Sequence, residues 1–115
     1  LCGYSTQLFS PGLYRDFISP LDDELLSLCP GGGMIHLCGA HAHHIPTWRE
    51  MKSLRAVQTN DRASEDVEQY FEELREDQIL YVSAFEGVPI DRIMRATSGR
   101  RLVLPGDYQD PPAVL

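Results

Sequence analysis

The sequence predicts an α/β fold of parallel βα units that corresponds to about half of a TIM-type barrel. Four short apolar runs recur along the 115 residues, and their first residues lie 21, 25 and 22 positions apart. Each interval has room for a helix, and strands that alternate with helices form parallel sheets. Because a complete barrel needs about 250 residues, the chain holds about four of its eight units. We therefore expect residues 1–115 to form one domain that is a fragment of a longer barrel.

The four apolar runs are the predicted strands, which cover 33–38, 54–58, 79–83 and 101–104. Before the first of them, Ser10 and Pro11 are typical of a helix start, and Pro20 is expected to end or kink this helix. A short helix of about two turns is expected from Pro46 to Lys52. The helical signals therefore fall before and between the strands, as a βα rhythm requires.

The second half of the chain carries the clearest helix signal. Apolar residues recur at i, i+3, i+4 and i+7 over 63–75, with Asp61 or Ser64 as the expected N-cap. A shorter helix is expected to begin at Pro89 and to stop at Gly99. Each of the last three predicted strands is thus preceded by a predicted helix.

Composition and charge exclude several classes of protein. The chain has ten Lys and Arg residues against 17 Asp and Glu, a formal charge of −7, and no clustered basic stripe. Because such a charge repels phosphate, we expect neither nucleic acid nor an anionic membrane surface as a partner. No apolar run approaches the roughly 20 residues of a membrane span, so we expect no bilayer crossing.

The cysteines and the first residues indicate the compartment. Cys2, Cys29 and Cys38 are an odd number at irregular spacing, which does not predict a disulfide framework. The chain starts with Leu1, and no charged segment followed by an apolar core resembles a secretory signal. A reducing cytoplasm is therefore the expected location.

A strand end rich in histidine is the strongest candidate for chemistry. His36 and Cys38 are two residues apart on a strand that is expected to be buried, so both side chains face the same side of the sheet. At the carboxyl end of a barrel strand this side is the mouth of the barrel, where active sites form. A thiolate and an imidazole together suit zinc. His41, His43 and His44 follow within reach, as expected outer contacts or extra ligands.

Other polar residues follow later strands at the same end of the sheet. Asn60 and Asp61 follow the second strand, and Asp107 and Tyr108 follow the fourth, where barrel enzymes place groups that bind substrate. Each position has a plain structural alternative, because Asn60 and Asp61 also suit a helix N-cap and Asp107 also suits a turn. The histidine–cysteine pair also has a structural alternative. His36 can be a core histidine with its hydrogen bonds satisfied, and Cys38 can be a small buried apolar residue. The pattern leaves both interpretations open.

The order of these motifs resembles the uroporphyrinogen decarboxylase superfamily from Ser10 to about Pro112. The residues that carry the likeness are Ser10-Pro11-x-x-Tyr14-Arg15-x-Phe17-x-x-Pro20, Gly33-Met34-Ile35-His36-Leu37-Cys38-Gly39, Val57-Gln58-x-Asn60-Asp61 and Gly99-Arg100-Arg101-Leu102-Val103-Leu104. The resemblance implies the carboxyl-terminal half of a TIM-type barrel. One branch of the superfamily decarboxylates uroporphyrinogen without a cofactor. The other branch moves methyl groups between a corrinoid and a thiol bound to zinc.

The methyltransferase branch matches the motifs better than the decarboxylase branch. Its zinc is held by His-x-Cys and a distant cysteine, and His36 and Cys38 match the first two positions. The third ligand would follow the last strand, where Asp107 stands in place of cysteine, and a carboxylate also binds zinc. The decarboxylase branch would place a His-Gly pair at this turn, which the sequence lacks. Its substrate-gripping groups lie in the amino-terminal half.

The sequence thus leads to one main hypothesis and two alternatives. The main hypothesis is a zinc site at His36, Cys38 and Asp107 that binds a thiol and presents it to a methyl donor. The first alternative is a barrel half without catalysis, which pairs with a copy of itself or with a missing amino-terminal half through exposed strand edges. The second alternative is binding of a tetrapyrrole without turnover.

Overall fold

The computed structural model describes residues 1–83 and 87–105, which form a parallel sheet with helices between the strands. The strands are β1 (Gly33–Cys38), β2 (Leu54–Asn60), β3 (Ile79–Val82) and β4 (Leu102–Val103). They pair in parallel and in chain order, β1-β2-β3-β4. The predicted α/β class with parallel βα units is confirmed, and each strand starts within one residue of its predicted position.

The α-helices are α1 (Pro11–Leu13), α2 (Ser19–Leu26), α3 (Ile45–Glu50), α4 (Val67–Glu73) and α5 (Ile90–Thr97). A π-helical turn, Tyr14–Ile18, joins α1 to α2. The predicted start of α1 is confirmed, because the Ser10 hydroxyl accepts a hydrogen bond from the Leu13 backbone N–H at 3.2 Å. The irregular turn ends at Ile18, two residues before Pro20, where the sequence predicts an end or a kink of the helix. Within the described residues, none of these helices is long and apolar enough to span a bilayer.

The helix predicted over 63–75 is shorter in the structure and has no side-chain cap. A 3-10 turn, Asp61–Asp66, precedes α4, and Asp61 adopts a φ of +48° without a capping bond. The Ser64 hydroxyl is buried against Thr59 and a backbone carbonyl after β3. The predicted N-cap is wrong, because this buried hydroxyl network uses the serine that was expected to cap the helix.

Within the described residues, helices cover one face of the sheet. The strand residues on the covered face are Ile35, Leu37, Val57, Leu80 and Val82, and they share one buried cluster with Trp48, Tyr70 and Ile93 from the helices. The alternate strand residues are half-buried and form what we call the open face: Met34, His36, Cys38, Ala56, Gln58, Asn60, Tyr81 and Val103. The first strand, expected to be buried, has Ile35 and Leu37 buried on the covered face and its other residues half-buried.

The first three residues extend the sheet beside β1. Cys2 forms a parallel bridge with His36, in which the Gly3 N–H donates to the His36 carbonyl at 2.8 Å and the His36 N–H donates to the Leu1 carbonyl at 2.8 Å. A Cβ atom on Gly3 would lie 2.9 Å from the Ile35 side chain, so Gly3 faces the covered side. Because successive strand residues alternate, Cys2 faces the open side.

Candidate functional site

His36 and Cys38 form a contacting pair near the carboxyl end of β1. Their side chains share the open face, and the Cys38 Sγ atom lies 3.3 Å from His36 Nε2. Both residues are half-buried, and Cys38 carries a free thiol. The placement on one face, predicted from their spacing, is confirmed.

Gln58 on β2 fixes the orientation of the His36 ring. Its Oε1 atom lies 3.0 Å from His36 Nδ1, and the two residues are direct neighbours in the parallel register. Because an amide oxygen only accepts hydrogen bonds, Nδ1 of the neutral ring carries the proton and Nε2 keeps its lone pair. This lone pair faces Cys38, so the pair presents a nitrogen and a sulfur side by side.

The pair matches the spacing of two ligands on a tetrahedral zinc ion. Zinc–sulfur and zinc–nitrogen bonds of about 2.3 Å and 2.0 Å place the two ligand atoms roughly 3.5 Å apart. The 3.3 Å between Cys38 Sγ and His36 Nε2 is close to that separation. A metal-binding histidine commonly donates its other ring N–H to an oxygen, as His36 does to Gln58. These residues therefore fit zinc as two of the three protein ligands of a catalytic site.

The third ligand is not in place among the described residues. In that part of the chain, no three His, Cys, Asp or Glu side chains are arranged to hold a metal ion. Asp107, the predicted third ligand, and Tyr108 lie outside the described residues. Cys2 has a free thiol and faces the open side opposite His36. Cys2, His36 and Cys38 do not together form a group that could hold a metal ion, so Cys2 is a neighbour of the pair in the sheet and not its third ligand.

The three histidines after β1 contact backbone carbonyls of the first nine residues rather than the His36–Cys38 pair. The contacts are His41 Nε2 to the Gly3 carbonyl at 2.9 Å, His43 Nε2 to the Phe9 carbonyl at 3.2 Å and His44 Nε2 to the Thr6 carbonyl at 2.8 Å. These histidines are close to the His36–Cys38 pair in the sequence. In the structure, however, they contact residues 1–9 and not the pair.

The residues predicted after β2 differ in their relation to the pair. Asn60 lies opposite Cys38 in the register and shares the open face with it. Asp61 is exposed at the first position of the following 3-10 turn. The structure thus brings Asn60 to the pair and leaves Asp61 beyond the end of the strand.

A row of cross-strand neighbours crosses the open face at the level of His36. Its members are Cys2, His36, Gln58, Tyr81 and Val103. Gln58 and Tyr81 are site residues that the sequence prediction missed. The signal that could have found them is the βα repeat itself, because residues one unit apart become neighbours in the sheet.

No protein-family model, no curated protein and no solved structure matches this chain. The function proposed below therefore depends on the open face and on the resemblance of the motifs.

Proposed function

We propose that the chain is the carboxyl-terminal half of a barrel of the uroporphyrinogen decarboxylase superfamily, in the branch that transfers methyl groups between a corrinoid and a thiol. The observation that carries this proposal is the His36–Cys38 pair, with its atoms 3.3 Å apart and its ring oriented by Gln58. Parallel strands paired in chain order, as in an arc of a barrel, support the barrel half. The motif resemblance supports the branch.

In this function His36 Nε2 and Cys38 Sγ would hold zinc, with Asp107 as the third ligand. The chemistry that zinc supplies in such a site is Lewis-acid binding of a thiol sulfur, which lowers the pKa of the thiol. Gln58 keeps the proton of the ring on Nδ1, so that the Nε2 lone pair is available. The half-buried position of the pair leaves it accessible to a small thiol from the open side.

The proposed transfer balances without a further reactant. The thiol gives its proton to solvent, and its sulfur forms a bond to the methyl carbon. The corrinoid would act as the methyl donor, and it would keep the electron pair of the bond that its methyl group leaves. The methylated thiol and the demethylated corrinoid are then the products.

A partner that completes the barrel belongs to the same proposal. Parallel sheets are ordinarily covered on both faces, and helices cover one face of the described sheet. A second copy of the chain or the amino-terminal half of the barrel would cover the open face. Light scattering tests the first case, because a dimer has twice the 13.0 kDa of the chain. A monomeric mass would contradict the pairing of two copies. The amino-terminal half of the barrel would then be the remaining proposed partner.

Metal content tests the zinc site directly. Protein purified without a histidine tag in the presence of zinc is expected to hold about one zinc per chain by elemental mass spectrometry. His36→Ala and Cys38→Ser are each expected to lose it, whereas Cys29→Ser keeps it as a matched control. Cys29 is a free, exposed cysteine between α2 and β1.

The same measurement identifies the third ligand and can contradict the proposal. Loss of zinc in Asp107→Asn assigns Asp107 as the third ligand, and Cys2→Ser is expected to keep the metal. Wild-type protein without zinc, or zinc that survives both His36→Ala and Cys38→Ser, contradicts the site.

The free thiols also favour a reducing compartment, and we propose a cytoplasmic location on that basis.

A further inference from the structure

The turn after β1 clamps the N-terminal segment, residues 1–9, with imidazole rings. Three of its histidines each contact a backbone carbonyl of the segment, as described above. His41 and His44 are fully buried, and Thr6, whose carbonyl accepts from His44, is 8% exposed. The segment is therefore held by buried polar contacts at its middle.

Among the side chains of this segment that the structure describes, few make apolar contacts. Leu8 is 83% exposed and Leu1 is 46% exposed, and Phe9 packs against the core in part. The other described bonds of the segment to the sheet are backbone hydrogen bonds of Leu1 and Gly3 to β1. A segment held mainly by hydrogen bonds belongs to the less stable part of a fold and can open locally.

His44 differs from its neighbours because one of its ring nitrogens is buried without a partner. Its Nε2–H donates to the Thr6 carbonyl at 2.8 Å, while its buried Nδ1 has no hydrogen-bond partner. A proton added at Nδ1 would therefore be buried without an acceptor, which costs free energy. Both ring nitrogens of His41 lie near backbone carbonyls, and His43 is exposed. Of the three histidines in this turn, His44 is therefore the one whose second ring N–H, once protonated, would have no hydrogen-bond acceptor among the described residues.

Among the described residues, no carboxylate forms a hydrogen bond or an ion pair with the His44 ring. The titratable side chains that face it are His41 and His43 from its own turn and Tyr14 from the π-helical turn. Trp48 from α3 lies with its ring centroid 5.7 Å from that of His44. Asp22 reaches the cluster through the Tyr14 hydroxyl, which donates to it at 3.0 Å. Residues 3–9 contain no acidic or basic side chain.

These surroundings lower the pKa of His44 below the ordinary 6.5. Desolvation by burial is the largest cause, and the hydrogen bond to Thr6 opposes it. The charges of His43 and His41 add to the lowering. Release of the segment would open the side of the ring that contacts Thr6 to water, which raises the pKa of His44 toward the ordinary value. The clamped state is therefore favoured above pH 6.5 and loses stability as the pH falls below it.

We infer that His44 is an acid-sensitive clamp, whose neutral ring holds residues 1–9 along β1 and whose protonation at Nδ1 releases them. Release breaks the backbone hydrogen bonds that pair His36 of β1 with Leu1 and Gly3. It also removes Cys2 from its position opposite His36. The inference goes beyond the proposed function, since it requires neither zinc nor a substrate.

Hydrogen–deuterium exchange of the intact chain, followed by mass spectrometry from about pH 7.5 to about pH 5, tests the clamp. After correction for the intrinsic pH dependence, protection of residues 1–9 is expected to fall up to about tenfold per pH unit below 6.5. Protection of the strand residues 57–59 and 80–82 is expected to stay constant. His44→Gln, which keeps an N–H donor but does not titrate, is expected to remove the pH dependence of residues 1–9.

His43→Gln is the matched control, because His43 is exposed and contacts the same segment. It is expected to keep the pH dependence of the wild type. The inference is overturned if protection of residues 1–9 is constant in the wild type, or falls only together with that of the strands. It is also overturned if His44→Gln keeps the full dependence. The wild-type profile decides the question by itself if His44→Gln does not fold.

Discussion

Gln58 Oε1 accepts a hydrogen bond from His36 Nδ1 at 3.0 Å, so a residue on β2 determines which nitrogen of the histidine on β1 faces Cys38. The two residues are 22 positions apart in the sequence and adjacent in the sheet. The hydrogen bond from His36 to Gln58 thereby orients the Nε2 lone pair of His36 toward the sulfur of Cys38. It also means that the affinity of the pair for a metal depends on a residue that is not itself a ligand.

Replacement of Gln58 by leucine is expected to weaken zinc binding about 10- to 100-fold, because the His36 ring loses the acceptor that fixes its tautomer. A competition titration against a chromophoric chelator measures this affinity. Gln69→Leu is the matched control, since Gln69 is exposed on α4. Wild-type affinity in Gln58→Leu would contradict the orienting role.

Replacement of Gln78 by leucine is expected to lower the free energy of unfolding by about 2–3 kcal/mol. Gln78 is fully buried, its Oε1 accepts from the Arg75 N–H at 2.9 Å, and its Nε2 donates to the carbonyls of Trp48 and Leu54. Leucine fills a similar volume but leaves the Arg75 N–H without this acceptor. Urea unfolding measures the change, and Gln69→Leu is expected to change it by less than about 0.5 kcal/mol. Equal values for the two variants would contradict the account.

The ion pair between Glu68 and Arg92 predicts a small pH dependence of stability. Arg92 donates two hydrogen bonds of 2.8 Å to the Glu68 carboxylate, and these lower the pKa of Glu68 below 4.5. The stabilisation is therefore present above pH 4.5 and is lost as the pH falls through the lowered value. Both side chains are partly exposed, so the contribution is below about 1 kcal/mol.

Urea unfolding of Glu68→Gln at neutral and acidic pH measures this contribution. The variant is expected to be less stable than the wild type at neutral pH, and the difference is expected to shrink as the pH falls below 4.5 through the lowered pKa of Glu68. Glu72→Gln is the control, because Glu72 is an exposed carboxylate on α4 without an ion pair among the described residues. A pH-independent difference between Glu68→Gln and the wild type would contradict the prediction.

The strands could be predicted from the sequence because their apolar runs are short, similar in length and regularly spaced. The His36–Cys38 pair could be predicted because a two-residue spacing on a strand fixes a common face. These features are local in the chain. The N-cap predicted at Ser64 is wrong because the hydroxyl bonds Thr59 and a carbonyl after β3, and that network exists only once the sheet has formed.

The site residues that were missed also depend on contacts that form only in the folded sheet. Gln58 joins His36 through the register of two strands, which depends on the whole βα unit between them. Cys2 lies opposite His36 because residues 1–3 pair with β1, although this stretch is too short to show a strand pattern. His44 is a polar residue in sequence, and its burial depends on Tyr14 and Trp48, which other helical turns supply.

The most direct test of the central claim is the absorption spectrum of the protein loaded with cobalt(II) in place of zinc and titrated with a small thiol. A tetrahedral site with a cysteine ligand is expected to show thiolate-to-cobalt charge transfer, and this band is expected to grow as the added thiol binds. Cys38→Ser is expected to lose the initial band, and Cys29→Ser is expected to keep it. A wild-type spectrum identical to that of cobalt(II) in buffer, with no change on addition of thiol, would contradict a thiol-binding metal site at His36 and Cys38.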